Sequence, residues 1–302
     1  LLGPEGSGGY AVALTLLQVL TVFTTLGFEH GIVYYVSGQR VSARAATRRA
    51  LLVSVATGLA GAAAGVLARL LVPAAFGGLT VAETAAVACA LPFALAWLYL
   101  SYVALALDRY ETFAIPPAAQ STVALALVVA LGVPFGLAGA VAGVALSHVA
   151  AAAIALIDAR RWLGARGGPR DEPGWARGAF AFGARGYVAS MLQTLNHRVG
   201  LFMLAAAASA SAAGQYAVAL SVTMVMWLLP LALSDVLYPR IAALSASVDE
   251  QHARGFVETK TLRHTSFVTA ATALVLAAAL VLLVVPIYGP KFRPAVELGL
   301  IL

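Results

Sequence analysis

Long apolar runs separated by short polar turns set the pattern of this chain. Eight of them are long enough to span a bilayer at about 20 residues each. They cover Tyr10–Val36, Ala45–Val72, Leu79–Leu107, Ile115–Val133, Leu137–Ile157, Gly183–Ala207, Gln215–Ile241 and Ser266–Val285. A ninth begins near Ala295 and runs to Leu302. The gaps are turn-like, as in Gly77-Gly78, Gly132-Val133-Pro134-Phe135-Gly136 and Pro286 to Pro294. The runs are too long for transmembrane strands and lack their polar/apolar alternation. The pattern predicts an all-α polytopic membrane protein.

Composition agrees. Hydrophobic residues make up 61% and charged residues 11%, and mean hydropathy is +0.90. Soluble domains carry roughly 25% charged residues. The single Cys89 excludes a disulfide framework. The net charge of +6 does not point to nucleic acid, because the basic residues punctuate apolar runs instead of forming a patch. No signal peptide is visible. The chain starts at Leu1 without Met and stops within an apolar run, so a fragment is expected, with helices missing at both ends.

Arginine placement orients the spans. Arg40, Arg44, Arg48 and Arg49 follow the first span, and Arg109 follows the third. Arg160, Arg161, Arg166, Arg170, Arg177 and Arg185 follow the fifth, and Arg240, Arg254, Lys260 and Arg263 follow the seventh. These alternate loops are expected to be cytoplasmic. Of the 19 Lys and Arg residues, only Arg69, Arg198, Lys291 and Arg293 fall elsewhere.

The chain also repeats itself. Tyr10-Ala11-Val12-Ala13-Leu14 returns as Tyr216-Ala217-Val218-Ala219-Leu220, and at the same offset Thr15 meets Ser221 and Glu29 meets Asp235. Val72-Pro73-Ala74-Ala75-Phe76-Gly77 resembles Val285-Pro286-Ile287-Tyr288-Gly289. Six spans separate the copies, so both enter the membrane in the same direction. The expectation is two parallel six-helix lobes related by a pseudo-twofold along the membrane normal. The N-terminal lobe would cover 1–160 and the truncated C-terminal lobe 180–302. A cytoplasmic linker rich in Arg, Gly and Pro would join them at 161–179.

Polar side chains inside the spans are the candidates for function, because charge there is costly. Ser190, Gln193, Thr194, His197 and Arg198 form one helical stripe. Such a stripe should face a watery cavity or a partner helix. Arg198 could grip an anion such as a phosphate, or pair with Glu29 or Asp235. Gln18, Thr21, Thr25 and Glu29 share one face of the first span. Glu29 and Asp235 could form a coupling site for H⁺ or Na⁺, a cytoplasmic gate, or a permanent ion pair. His148 reads as a hydrogen-bonded helix contact. Pro92 and Pro230 should kink their helices. Gly61/Gly65 and Gly139/Gly143 have the spacing of close helix contacts.

Catalytic chemistry finds no purchase. No Gly-rich phosphate loop, HExxH or paired Cys is present. The carboxylates on the Arg-rich side, such as Asp108, Glu111, Asp171 and Glu172, form no recognisable set. No enzyme activity, cofactor or metal is expected.

Particular residues resemble a known family. Leu2-Gly3-Pro4-Glu5-Gly6-Ser7-Gly8-Gly9-Tyr10 resembles the opening of polysaccharide biosynthesis flippases. So do Leu195-Asn196-His197-Arg198, Gly214-Gln215-Tyr216, Trp227-Leu228-Leu229-Pro230 and Leu237-Tyr238-Pro239-Arg240. These proteins belong to the multidrug/oligosaccharidyl-lipid/polysaccharide exporter superfamily. The resemblance implies two lobes around a cavity that opens alternately to each side of the cell (inner) membrane. It implies a polyprenyl-diphosphate-linked oligosaccharide as cargo, with glycosyltransferases or a polymerase as working partners. Its cationic lumen maps onto Arg198. Many relatives carry an Asp two residues later, where this chain has Gly200. Three other readings stay open: a cation-coupled multidrug exporter of the same superfamily, a membrane glycosyltransferase or polymerase, and a scaffold in a polysaccharide assembly complex.

Overall fold

A computed structural model describes residues 2–163, 171–226 and 251–301. Among them no strand occurs, and every long element is a helix. The elements are α1 Gly3–Thr25, α2 Phe28–Ser37, α3 Ala43–Leu71, a 3₁₀ turn Pro73–Phe76, α4 Val81–Cys89 and α5 Leu91–Ala106. They continue with α6 Tyr110–Leu163, α7 Trp175–Ala207, α8 Ala210–Thr223, α9 Gln251–Tyr288, a 3₁₀ turn Pro290–Phe292 and α10 Arg293–Ile301. Gly3–Thr25, Ala43–Leu71, Val81–Ala106, Tyr110–Arg161 and Thr265–Tyr288 are long and apolar enough to cross a membrane. Large side chains such as Leu52, Leu59, Leu125, Leu274 and Leu282 stand exposed on them, as they would toward lipid tails. The protein is an all-α, multi-pass membrane protein.

Local chemistry sets the boundaries. Ser42 opens α3, and its Oγ accepts the Ala45 N–H at 3.2 Å. Thr80 and Glu83 form a capping box at α4. Pro92 stands in the first turn of α5, where its missing N–H is harmless. The Leu79–Leu107 run is divided at Ala90, just before Pro92, into α4 and α5. Pro230 lies outside the described residues. The long α6 is two arms, because Gly136 has φ 58°, ψ −136°, a conformation almost reserved for glycine. The chain folds back there: a side chain at Gly143 would meet the Leu127 backbone, and the Gln120 amide donates to Ser147 Oγ at 3.0 Å. The two sequence-predicted spans, Ile115–Val133 and Leu137–Ile157, are these arms.

The first predicted span differs from its expectation. Tyr10–Val36 is not one helix, since Leu26 (φ 50°) and Gly27 (φ 73°) are left-handed and separate α1 from α2. The stripe through Gln18, Thr21, Thr25 and Glu29 thus spans two helices. Helix also enters the expected linker, α6 running to Leu163 and α7 starting at Trp175.

Packing groups Leu1–Ala213 into one compact unit and Gly214–Leu302 into another. The first includes α7, which packs on α1 and α2. This grouping is by contact, whereas the expected lobes are a division by repeat. In the second unit Val218 of α8 packs with Leu280 and Val284 of α9, and with Phe292 and Ala295. The repeated pentapeptide buries the same two positions in each unit, Val12 (0%) and Ala13 (2%) against Val218 (7%) and Ala219 (0%). Gly77 and Gly289, matched in the second repeated segment, both have positive φ. Both flank a 3₁₀ turn between a long helix and a short one.

Candidate functional site: the broken first helix and the polar face of α7

The break between α1 and α2 is the most elaborated place in the first unit. Ending a helix strands its last backbone carbonyls without intrahelical donors. Two tyrosines supply donors. Tyr187 of α7 donates its hydroxyl to the Phe23 carbonyl at 3.0 Å, and Tyr99 of α5 donates to the Thr25 carbonyl at 3.3 Å. On the other side, the first turn of α2 starts from the Gly27 carbonyl, which accepts the His30 N–H at 3.1 Å.

Small residues let α7 reach this break. A side chain at Gly27 would meet the Gly183 carbonyl carbon at 2.6 Å, and one at Gly183 would collide with the Gly27 carbonyl. One turn on, Gly31 faces the Ala179 backbone as closely. Aromatics flank the glycine contact. Phe28 stacks on Phe180 at 4.5 Å, Tyr34 stacks on Phe182 at 4.3 Å, and Phe28 meets Tyr99 edge-on at 5.4 Å.

Glu29 sits in the first turn of α2, where the helix dipole favours a negative charge. Its side chain is largely buried, with 13% exposed, and its Oε2 is buried without a hydrogen-bond partner among the described residues. His30 Nε2 approaches Oε1 at 3.9 Å from a half-exposed ring. Among the described residues no ion pair joins Arg198 to Glu29. Asp235, the other proposed partner, lies outside the described residues.

The expected site residues distribute as follows. Arg198 is half-buried on α7, as is Thr194, while Gln193 is exposed. The side chains of Ser190 and His197 lie outside the described residues. On α1, Gln18 is exposed and Thr25 is buried, its hydroxyl returned to the Val22 carbonyl at 3.1 Å. Helix α7 is anchored at two heights, by Gly183 against Gly27 and by Ala205, which with Val12 packs over Gly77. In sequence Arg198 lies between these two anchors. Helix α7 packs on α1 as an element, and among the described residues no ion pair joins Glu29 to Arg198.

A family model described as polysaccharide biosynthesis protein matches residues 1–245. The chain belongs to that family. It is accordingly a membrane protein of polysaccharide biosynthesis. No curated protein and no solved structure matches it.

Some features escaped the sequence reading. Tyr99, Tyr187, Gly27 and Gly183 carried no pattern that singled them out, because glycine is common in membrane helices. His148 behaves as read: its Nδ1 accepts the Trp97 indole N–H at 3.1 Å. The pairs Gly61/Gly65 and Gly139/Gly143 do sit at close contacts, Gly61 against Thr24 and Leu91, Gly65 against Leu20, and Gly139 against Leu131. Arg69 is a local strut, since its Nε donates to the Leu79 carbonyl at 2.8 Å over the Phe76 ring.

Proposed function

We propose that this protein moves polyprenyl-diphosphate-linked oligosaccharides from the cytoplasmic to the outer leaflet of the cell membrane, as a transporter and not an enzyme. The observation that supports the reading is a half-buried arginine, Arg198, on a helix that packs against α1, in a chain of a polysaccharide biosynthesis family. A guanidinium inside a membrane domain is expensive unless it meets an anion or water. The diphosphate of the cargo is such an anion, and Arg offers it a two-pronged donor. Gln193, Thr194 and Gln18, with Ser190 and His197 on the same stripe, would border the sugar.

Energy for the step would come from an ion gradient, H⁺ or Na⁺, with Glu29 and its repeat partner Asp235 as coupling or gating acids. The broken helix supports Glu29 in that role. Half-helix ends at a break are where several transporters form ion sites, and Glu29 stands at such an end. The two repeats would rock as lobes, 1–160 against 180–302, about the 161–179 link.

The test is complementation of a strain lacking its own flippase, scored by surface polysaccharide. Wild type should restore it. Arg198→Ala should not, at equal protein level, and Arg198→Lys should restore it in part. A labelled sugar nucleotide assay separates the enzyme reading: new glycosidic bonds made by the purified protein would refute transport alone.

A further inference from the structure

The Arg-rich end of α3 holds a cavity of about 550 Å³ that the transport reading does not use. Its lining includes Ser42, Arg44, Arg48, Arg49, Asp171 and Trp175. The segment entering α7 forms one wall. Asp171 Oδ1 accepts the Ser42 N–H at 2.9 Å, and the Glu172 N–H donates to the Arg40 carbonyl at 2.9 Å. Asp171 is thereby committed to the start of α3. Among the described residues no carboxylate forms an ion pair with Arg44, Arg48 or Arg49.

The charge is on the wrong end of the helix for stability. The first turn of α3 has no acid, and cations there oppose the helix dipole. Asp171 already meets the start of α3, so an anion in the cavity would be held by the three guanidinium groups, which outnumber that one carboxylate in the lining. Topology rules put arginines on this side of a membrane; here Arg44, Arg48 and Arg49 stand exposed around one open depression.

The cavity also has an apolar exit. Leu52 lines it, and Arg48, Leu52, Val55 and Leu59 follow one another at spacings of 4, 3 and 4 along a single face of α3. Leu52, Val55 and Leu59 are each more than half exposed. A molecule with an anionic head and a hydrocarbon tail matches this succession, and a free anion uses only its lower end.

We propose that the cavity binds the phosphate end of an anionic membrane lipid, with the lipid chain lying along Leu52, Val55 and Leu59. This site is separate from Arg198 and stands whether or not the protein is a flippase.

Native mass spectrometry of the purified protein tests it with four probes: phosphatidylcholine, phosphatidylglycerol, a polyprenyl diphosphate and inorganic diphosphate. An anionic lipid should be retained over phosphatidylcholine. Arg48→Gln with Arg49→Gln should weaken that retention about thirtyfold, at about fivefold per arginine near a charged headgroup. Ala45→Asp is the folding-safe variant. A carboxylate in the first turn suits α3, so its thermal midpoint should hold while lipid retention falls. Preference for the polyprenyl diphosphate would make the cavity a docking point for a lipid carrier, and preference for phosphatidylglycerol a site for bulk anionic lipid; either supports the proposal. Equal retention of phosphatidylcholine, inorganic diphosphate binding as tightly as the lipids, or indifference to all three substitutions would overturn it.

Discussion

The hydroxyl of Tyr187 donates to the carbonyl of Phe23 at 3.0 Å. A residue of α7 thus caps the broken end of α1, and it does so 4 positions from Gly183, which touches Gly27 on the far side of the break. Cap and glycine contact together hold α7 against the discontinuity. Tyr187→Phe keeps the ring and removes the donor. The expected loss is about 0.6 kcal/mol and not above roughly 1.7, the range for hydrogen bonds between membrane helices. Thermal unfolding in detergent reads it, and an unchanged midpoint would remove Tyr187 from the cap.

Two glycines one turn apart on α7 should behave oppositely. Gly183→Ala drives a methyl into the Gly27 backbone, whereas nothing lies within 4 Å of a methyl at Gly186. Overpacking at Gly183 should cost about 1–3 kcal/mol. Gly186→Ala should be neutral or stabilising by up to about 1 kcal/mol, since alanine favours helix. Paired thermal midpoints decide it, and equal effects would mean that α7 does not pack here.

The hairpin of α6 depends on one backbone conformation. Gly136→Ala should cost on the order of 1–3 kcal/mol, because an L residue is strained at φ 58°, ψ −136°. Lower yield of folded protein and a reduced midpoint are expected. A fully stable Gly136→Ala protein would place the turn elsewhere.

Much of this architecture was legible in the residues. Length and hydropathy placed most of the spans, because a bilayer demands about 20 apolar residues; Gly183–Ala207 is the exception, since α7 is too polar to count among the described helices able to cross, and Gln215–Ile241 lies mostly outside the described residues. The α6 turn was readable from Gly132 to Gly136, where proline and glycine coincide. The break at Leu26–Gly27 was not, for hydropathy is blind to helix continuity and a single glycine is ordinary in a membrane span. Its cause is tertiary: Gly183, Tyr187 and Tyr99 receive the ends, and they lie far away in sequence. Glu29 stood out as an acid within an apolar run, but its place at a helix start came only from the fold.

Glu29→Gln separates charge from shape. The amide is nearly isosteric and removes a largely buried carboxylate whose Oε2 has no partner among the described residues. Stability should change little, since the amide gives up the helix-start and His30 interactions of the charge together with its burial cost. If Glu29 couples an ion gradient to movement, export falls sharply in the same variant. Lost stability together with lost export would instead make Glu29 a structural charge.

The most direct test is the Arg198 pair in a flippase-deficient strain, with surface polysaccharide and membrane protein level measured side by side. Arg198→Ala should leave the level intact and abolish export, with Arg198→Lys intermediate. Full export by Arg198→Ala at wild-type abundance would contradict a cationic cargo site on α7.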